Sequence, residues 1–291
     1  MPNITKSTVF DNALVTELIN KTKGRSTLAK LCEQTPQTFG GIEEMMFSLD
    51  GEVSIVAEGA PKPAGSAEFK GVIVKPVKMI YQHRVTDEFT KMSEERQVNY
   101  LAAFTDGFAK KIARGLDIAA FHGIDPASKE TVASLNTKNF DMSSVGSVVA
   151  VSGKEDEAID SAIAAIEGAD NYSFAFSKAF ATSLSKIKVN GVVQYPEFRF
   201  GRNPGSFAGS VCDINSTVSY NNANTLAYVG DFMNNFRWGM VDNIPLEIIE
   251  YGDPDGQGDL KRNNQICLRS EAYVSWGILD ASAFKKIVVT G

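Results

Sequence analysis

Several things are scarce in this 291-residue chain, and each shortage closes off a class of function. Cysteine occurs only as Cys32, Cys212 and Cys267. The number is odd and no pair has CxxC spacing, so a disulfide framework is excluded and reduced thiols in a cytosolic setting are expected. Histidine occurs only as His83 and His122, too few for a histidine-rich metal site. Clustered cations are missing as well. Lys and Arg total 29 against 35 acids, for a formal charge of −6, and no segment is a run of bases. Tight general binding to nucleic acid needs such a run to neutralise phosphates; a mild negative balance instead keeps a protein soluble and weakly repels polyanions. No apolar stretch approaches the ~20 residues of a membrane span. Met1 to Lys23 alternates polar and apolar residues without an apolar h-region, so no signal peptide is expected. There is no internal repeat and no low-complexity tract.

What is present is ordinary globular material, 43% hydrophobic and 22% charged, enough for a core and for one to three domains. Phe10, Leu14 and Leu18 recur at i, i+4 and i+8, a narrow stripe on a short helix that needs a partner surface. A flexible joint around Gly24 follows, and the core is expected to begin at Leu28, Leu31 and Cys32. Between Phe47 and Val85 the pattern is a long two-stranded ribbon. Val53, Ile55 and Ala57 alternate with polar residues as a strand would. Glu58-Gly-Ala-Pro-Lys-Pro-Ala-Gly65 breaks regular structure at the tip. Phe69 to Val85 returns as a strand, with Pro76 marking an edge or bulge. An isolated hairpin is marginal, so this one should lie on another surface, and its length points to another subunit. Ser93 caps a spine helix running to about His122, with Val98, Leu101, Phe108, Ile112 and Ala119 at helical spacing. Beyond Gly123 the chain reads as an α/β lobe: helices at 155–167 and 177–188, a strand at 173–176, then short strands with Gly, Asn and Pro turns. After a polar loop at 253–259 comes a long strand with Ile266, Leu268, Ala272, Val274 and Trp276 on one face and Gln265, Cys267, Arg269, Glu271 and Tyr273 on the other. Asp280 to Lys285 reads as a closing helical turn.

This order of arm, hairpin, spine helix, α/β lobe and returning strand resembles the major capsid protein family of tailed phages, the Hong Kong ninety-seven-type fold. The strings that carry the resemblance are Glu58-Gly-Ala-Pro-Lys-Pro63 at the hairpin tip, then Pro204-Gly205, Gly209 and Tyr228-Val-Gly-Asp-Phe232 in the lobe. Asn263 to Glu271 and Trp276-Gly-Ile-Leu-Asp280 carry it in the closing strand. The likeness covers nearly the whole chain. It implies an α+β fold divided into an arm (1–30), the start of a peripheral domain (31–46), an extended loop (47–80), a peripheral domain with the spine helix (81–125), an apical domain (126–259) and a return to the peripheral domain (260–291). It further implies a structural protein, not an enzyme and without cofactor. Such a protein self-assembles into hexamers and pentamers that close an icosahedral virion shell around double-stranded DNA, within the host cytoplasm. Glu58, Gly59, Pro61, Lys62, Pro63, Phe69 and Lys70 on the loop, and Phe10, Leu14 and Leu18 on the arm, are the expected intersubunit contacts. Since the chain opens without a long coiled segment, a separate scaffolding protein is expected, or removal of that segment before Met1. Portal and decoration proteins are further expected partners, DNA is contacted weakly and non-specifically, and no membrane is involved.

Other readings weigh against particular residues. Asp253, Asp255, Gln257, Gly258 and Asp259 fit part of a calcium loop, but Asn264 stands where the bidentate Glu belongs, so a surface turn is preferred and no metal is expected. Lys23-Gly-Arg-Ser-Thr27 lacks the upstream glycine of a phosphate loop. Asn264 and Glu271 align with positions that some family members use, with a loop lysine (Lys62, or Lys70 or Lys75), in an intersubunit isopeptide bond; the plain alternative pairs Glu271 with Arg269 and leaves Lys62 solvated. Two rival functions remain: a nanocompartment shell protein of the same fold that packages enzymes, and a small cytosolic hydrolase using a cysteine with His83 or His122.

Overall fold

The protein is described from a computed structural model covering residues 25–50, 53–166, 169, 171–221, 224–241 and 246–289. Helix α1 (Thr27–Leu31) opens these residues and buries Leu28 and Leu31. The ribbon is β1 (Ile42–Asp50) paired antiparallel with β2 (Ser66–Val74). Strand β3 (Val77–Thr86) leads through a 3-10 turn (Asp87–Lys91) into the spine helix α2 (Glu94–His122). Its 29 residues span about 44 Å at 1.5 Å each. One stripe of that helix (Phe104, Phe108, Ile112, Leu116, Ala119) is buried, and Gly123 ends it in the left-handed region at φ 66°, a conformation glycine adopts without a Cβ clash.

Two sheets pack on the spine. The lobe contributes β4 (Gly146–Ala150), α3 (Glu155–Ala164), β5 (Ser173–Phe176), α4 (Lys178–Leu184), a small hairpin of β6 (Lys188–Val189) and β7 (Val192–Val193), β8 (Ser206–Phe207), β9 (Ser210–Ile214) and β10 (Thr225–Gly230). After them come α5 (Phe232–Asn235), β11 (Phe236–Met240), β12 (Leu246–Ile249), β13 (Gln265–Ile278) and β14 (Phe284–Val289). The six-stranded sheet runs β4-β14-β10-β5-β9-β8. The four-stranded sheet is centred on β13, with β3 along one edge and β11 and β12 along the other, all antiparallel. One core joins the spine to both sheets through Phe121, Phe140, Tyr228, Trp238, Trp276 and Phe284. A second lies between the six-stranded sheet and helices α3 and α4, around Ile159, Phe176, Phe180 and Leu184.

Several sequence expectations are corrected. Val53 to Ala57 forms no strand: β2 pairs with Ile42–Asp50 instead, and 53–65 is loop with Val53 and Ile55 fully exposed. The single strand expected over Phe69 to Val85 is two, broken where Pro76 offers no N–H to a ladder. Its second half is held by the chain's own β13, so only 42–74 stands as a free ribbon. The turn expected over Asp280 to Lys285 leads at once into β14, which joins the six-stranded sheet between β4 and β10. Ser93 has the extended cap conformation, but its side chain makes no capping bond; its carbonyl accepts from the Arg96 and Gln97 amides. Cys267, expected on the polar face of β13, is fully buried.

Candidate assembly interface

The ribbon is an extension of a rail laid along the molecule. Strand β3 pairs with β13 from Val77 opposite Val274 to Thr86 opposite Gln265. Val74 continues that register onto Gly277, where a Cβ would stand 2.9 Å from the valine methyl; glycine there lets the ribbon root seat. Beyond Val74 the nine paired residues of β2 project roughly 30 Å past the sheet.

Registry then decides what the ribbon shows. Met45 lies opposite Gly71 and Phe47 opposite Phe69, and residues two apart share a face, so Met45, Phe47, Phe69 and Ile73 line one side. All four are more than half exposed, Met45 by 75% and Phe69 by 73%. The Phe47 and Phe69 rings pair at 4.7 Å, which stiffens the ribbon without covering it. Glu58, Gly59, Pro61, Lys62 and Pro63 are exposed in the loop, with Gly59 at φ 80° in a turn closed by the Ala60 amide on the Ala57 carbonyl. Of Lys70 the structure describes the backbone only, and Phe10, Leu14 and Leu18 lie outside the described residues.

A shallow cleft of about 270 Å³ lies on the same rail, between β3 and the spine helix, lined by Tyr81, His83, Phe104, Gly107, Phe108 and Lys111. Sequence reasoning did not find it, since the cleft exists only once β3 lies beside α2. From Ser66 to His83 the rail is 17 residues, about 56 Å at 3.3 Å each. The 53–65 loop, anchored at both ends, folds back at most about 24 Å. The ribbon tip therefore cannot reach its own cleft.

The root of the arm is held by two buried acids. Asp117 of the spine accepts from the Ser26 hydroxyl at 2.5 Å, the Thr27 and Leu28 amides and the Thr217 hydroxyl. Burial without a cation pushes its carboxyl up to about 6, against the pull of those donors. Asp213 accepts from Thr27, Lys30 and Asn203. Ser26 and Thr27 are thus committed to carboxylates, which answers the phosphate-loop reading.

The calcium-like loop is also occupied from within. Arg84 of β3 donates to both Asp255 oxygens, to Asp253 and to the Gly258 carbonyl. Its bond to Asp255 raises Arg84 further and lowers Asp255. A guanidinium sits where a cation would. Glu271 pairs with Lys78 at 2.8 Å and not with Arg269, which donates to Gln82 and Pro254 instead. Within one copy Asn264 and Glu271 are seven residues, about 23 Å, apart along the strand.

The thiols do not resemble nucleophiles. All three are buried, and burial pushes Cys32 up to about 11 and raises Cys212 and Cys267 too, the reverse of an activated cysteine. His83 faces Tyr100, and burial lowers it; His122 faces Asp141 and the Thr217 carbonyl. Among the described residues no His, Cys, Asp or Glu group could hold a metal, and no helix is long and apolar enough to cross a membrane.

An α+β chain with an unmatched ribbon and a lobe beside a spine belongs to the class of shell-building subunits. A solved structure from Mycobacterium phage Ogopogo is 30% identical, with 91% of this chain and 92% of that one covered and a TM-score of 0.76. One from Gordonia phage Cozz is 23% identical over 92% and 87%, with TM-score 0.75. The capsid of a native GTA particle computed with C5 symmetry shares the fold at 14% identity and TM-score 0.62, over 93% and 91%. No curated protein matches. The chain belongs to the phage capsid family, which it matches over residues 7–289. It is a major capsid protein, a structural component of the phage shell.

Proposed function

We propose that this subunit assembles by lending its ribbon to a neighbour. The observation that carries the reading is the apolar face of Met45, Phe47, Phe69 and Ile73, open to solvent on a two-stranded element that is marginal alone. The reach argument supports a second copy as the surface beneath it, with Glu58, Gly59, Pro61, Lys62, Pro63 and Lys70 contacting that copy. The arm, through Phe10, Leu14 and Leu18, contacts a further one. Many such contacts repeated by symmetry close hexamers and pentamers into an icosahedral shell around double-stranded DNA. Residues 126–259 form the apical domain, extended by β14, and the spine with β3 and β13 the peripheral one. A separate scaffold and a portal complete assembly in the host cytoplasm. The chain builds and does not catalyse, and its phage kinship favours DNA over an enzyme cargo. Deleting Glu58–Ser66 is expected to leave a folded, soluble subunit that forms no shells by electron microscopy. Normal shells from that deletion would overturn the proposal.

A further inference from the structure

The sulfur most open to solvent sits on the ribbon face. All three thiols are buried, and that burial holds them protonated, so a mild oxidant meets thioethers first. Of the eight methionines, Met45 is the most exposed among the described residues at 75%, ahead of Met233 at 55% and Met92 at 41%. Met46, its chain neighbour, lies on the opposite side of the ribbon and is half-buried.

Registry puts that sulfur at the middle of the apolar face. Gly71 lies directly opposite Met45, and Phe69 and Ile73 are its diagonal neighbours across the strand pair. A side chain at position 71 would lie beside the thioether. Glycine leaves it open, and the atoms nearest the missing Cβ belong to the Glu43 side chain. An uncharged peroxide is not turned away by that carboxylate. The centre of an interface is also where the loss of one apolar side chain costs most.

We propose that Met45 is a site of reversible oxidation by peroxides, and that its sulfoxide holds the free subunit out of assembly. The sulfur lone pair attacks one oxygen of hydrogen peroxide and the O–O bond breaks. The departing hydroxide takes the proton from the oxygen now bound to sulfur. Sulfur has lost two electrons, the peroxide has gained them, and the products are a sulfoxide and water. The sulfoxide oxygen is polar, and burying it on an apolar surface without a donor is unfavourable. Once a subunit is docked, the neighbour that covers the ribbon also shields the sulfur, so oxidation acts before assembly and not after it. The inference rests on the ribbon reading and adds its regulation.

The test treats free full-length subunits with hydrogen peroxide and then removes it. Peptide mass spectrometry reads the conversion of each methionine, and electron microscopy follows assembly over a concentration series. Met45 is expected to convert severalfold faster than Met46. The converted wild type should need at least tenfold more protein to form shells, while its melting temperature moves by a few degrees at most. Methionine sulfoxide reductase then restores the original threshold. Met45→Leu, close in volume and without a sulfur to oxidise, keeps its untreated threshold after the same treatment. A converted wild type that assembles at the untreated threshold would overturn the proposal. So would a reductase-treated sample that regains its Met45 thioether but not its assembly, or Met45→Leu losing assembly on peroxide as the wild type does. Met45→Gln, polar from the start, separates this inference from the reading beneath it. If that variant is blocked while the sulfoxide assembles, only the oxidation proposal falls; if both assemble as the untreated wild type does, the ribbon reading falls with it.

Discussion

Asp117 is the residue where burial and hydrogen bonding are most directly opposed. Its carboxyl is raised to about 6 from an ordinary 3.8, because removing it from water outweighs its donors. A carboxyl raised on folding binds its proton more tightly in the native state. Its stabilising contribution is therefore complete below 3.8 and is lost as pH rises through 6. Two units correspond to roughly 3 kcal/mol. Asp117→Asn, which cannot titrate, should show a flatter decline in unfolding free energy between pH 4 and 7 than the wild type, measured by denaturant titration. Parallel pH profiles would contradict this. Arg84 offers a second residue-scale test: Arg84→Gln leaves Asp253 and Asp255 without their cation, so the 253–259 loop should exchange its amides faster. The partial calcium motif was visible in the sequence. Its occupant was not, because Arg84 is some 170 positions away and only β3–β13 pairing brings it there.

Among the elements, the ribbon face is where packing and function separate. Phe69 is mostly exposed, so Phe69→Ser should shift the melting temperature of the free subunit by only a few degrees at most, within the small range usual for surface changes. The protein concentration needed for shell assembly should rise at least tenfold. A variant that assembles like the wild type would show that this face is not an interface. The long elements were legible because their periods are strong: the spine repeats every three to four residues, and β13 alternates over most of its 14 residues. Strand β1 was not, since Glu43-Glu44 and Met45-Met46 double each residue type and erase the alternation. Val53 to Ala57 alternates but finds no partner, which shows that period alone does not make a strand. The joint at Pro76 was recognised as a defect, yet whether the following strand belonged to the ribbon or to the sheet depended on pairing nearly 190 residues away.

At the scale of the molecule, the first described helix, α1, packs against the spine, and the last described strand, β14, returns to the lobe. The closing segment 284–289 escaped the sequence reading because six residues, two of them lysines, give a weak strand signal beside a turn. The proposed contact residues on the tip were nameable from Gly and Pro, whereas the apolar face of Met45, Phe47 and Ile73 became visible only when registry placed them on one side. Hydroxyl-radical footprinting of the free subunit and the closed shell tests the whole account most directly. Met45, Phe47 and Phe69 should be modified readily in the free subunit and be protected severalfold in the shell, while Met46 on the half-buried face changes little. Equal modification of those three residues in closed shells would mean that no neighbour covers the ribbon.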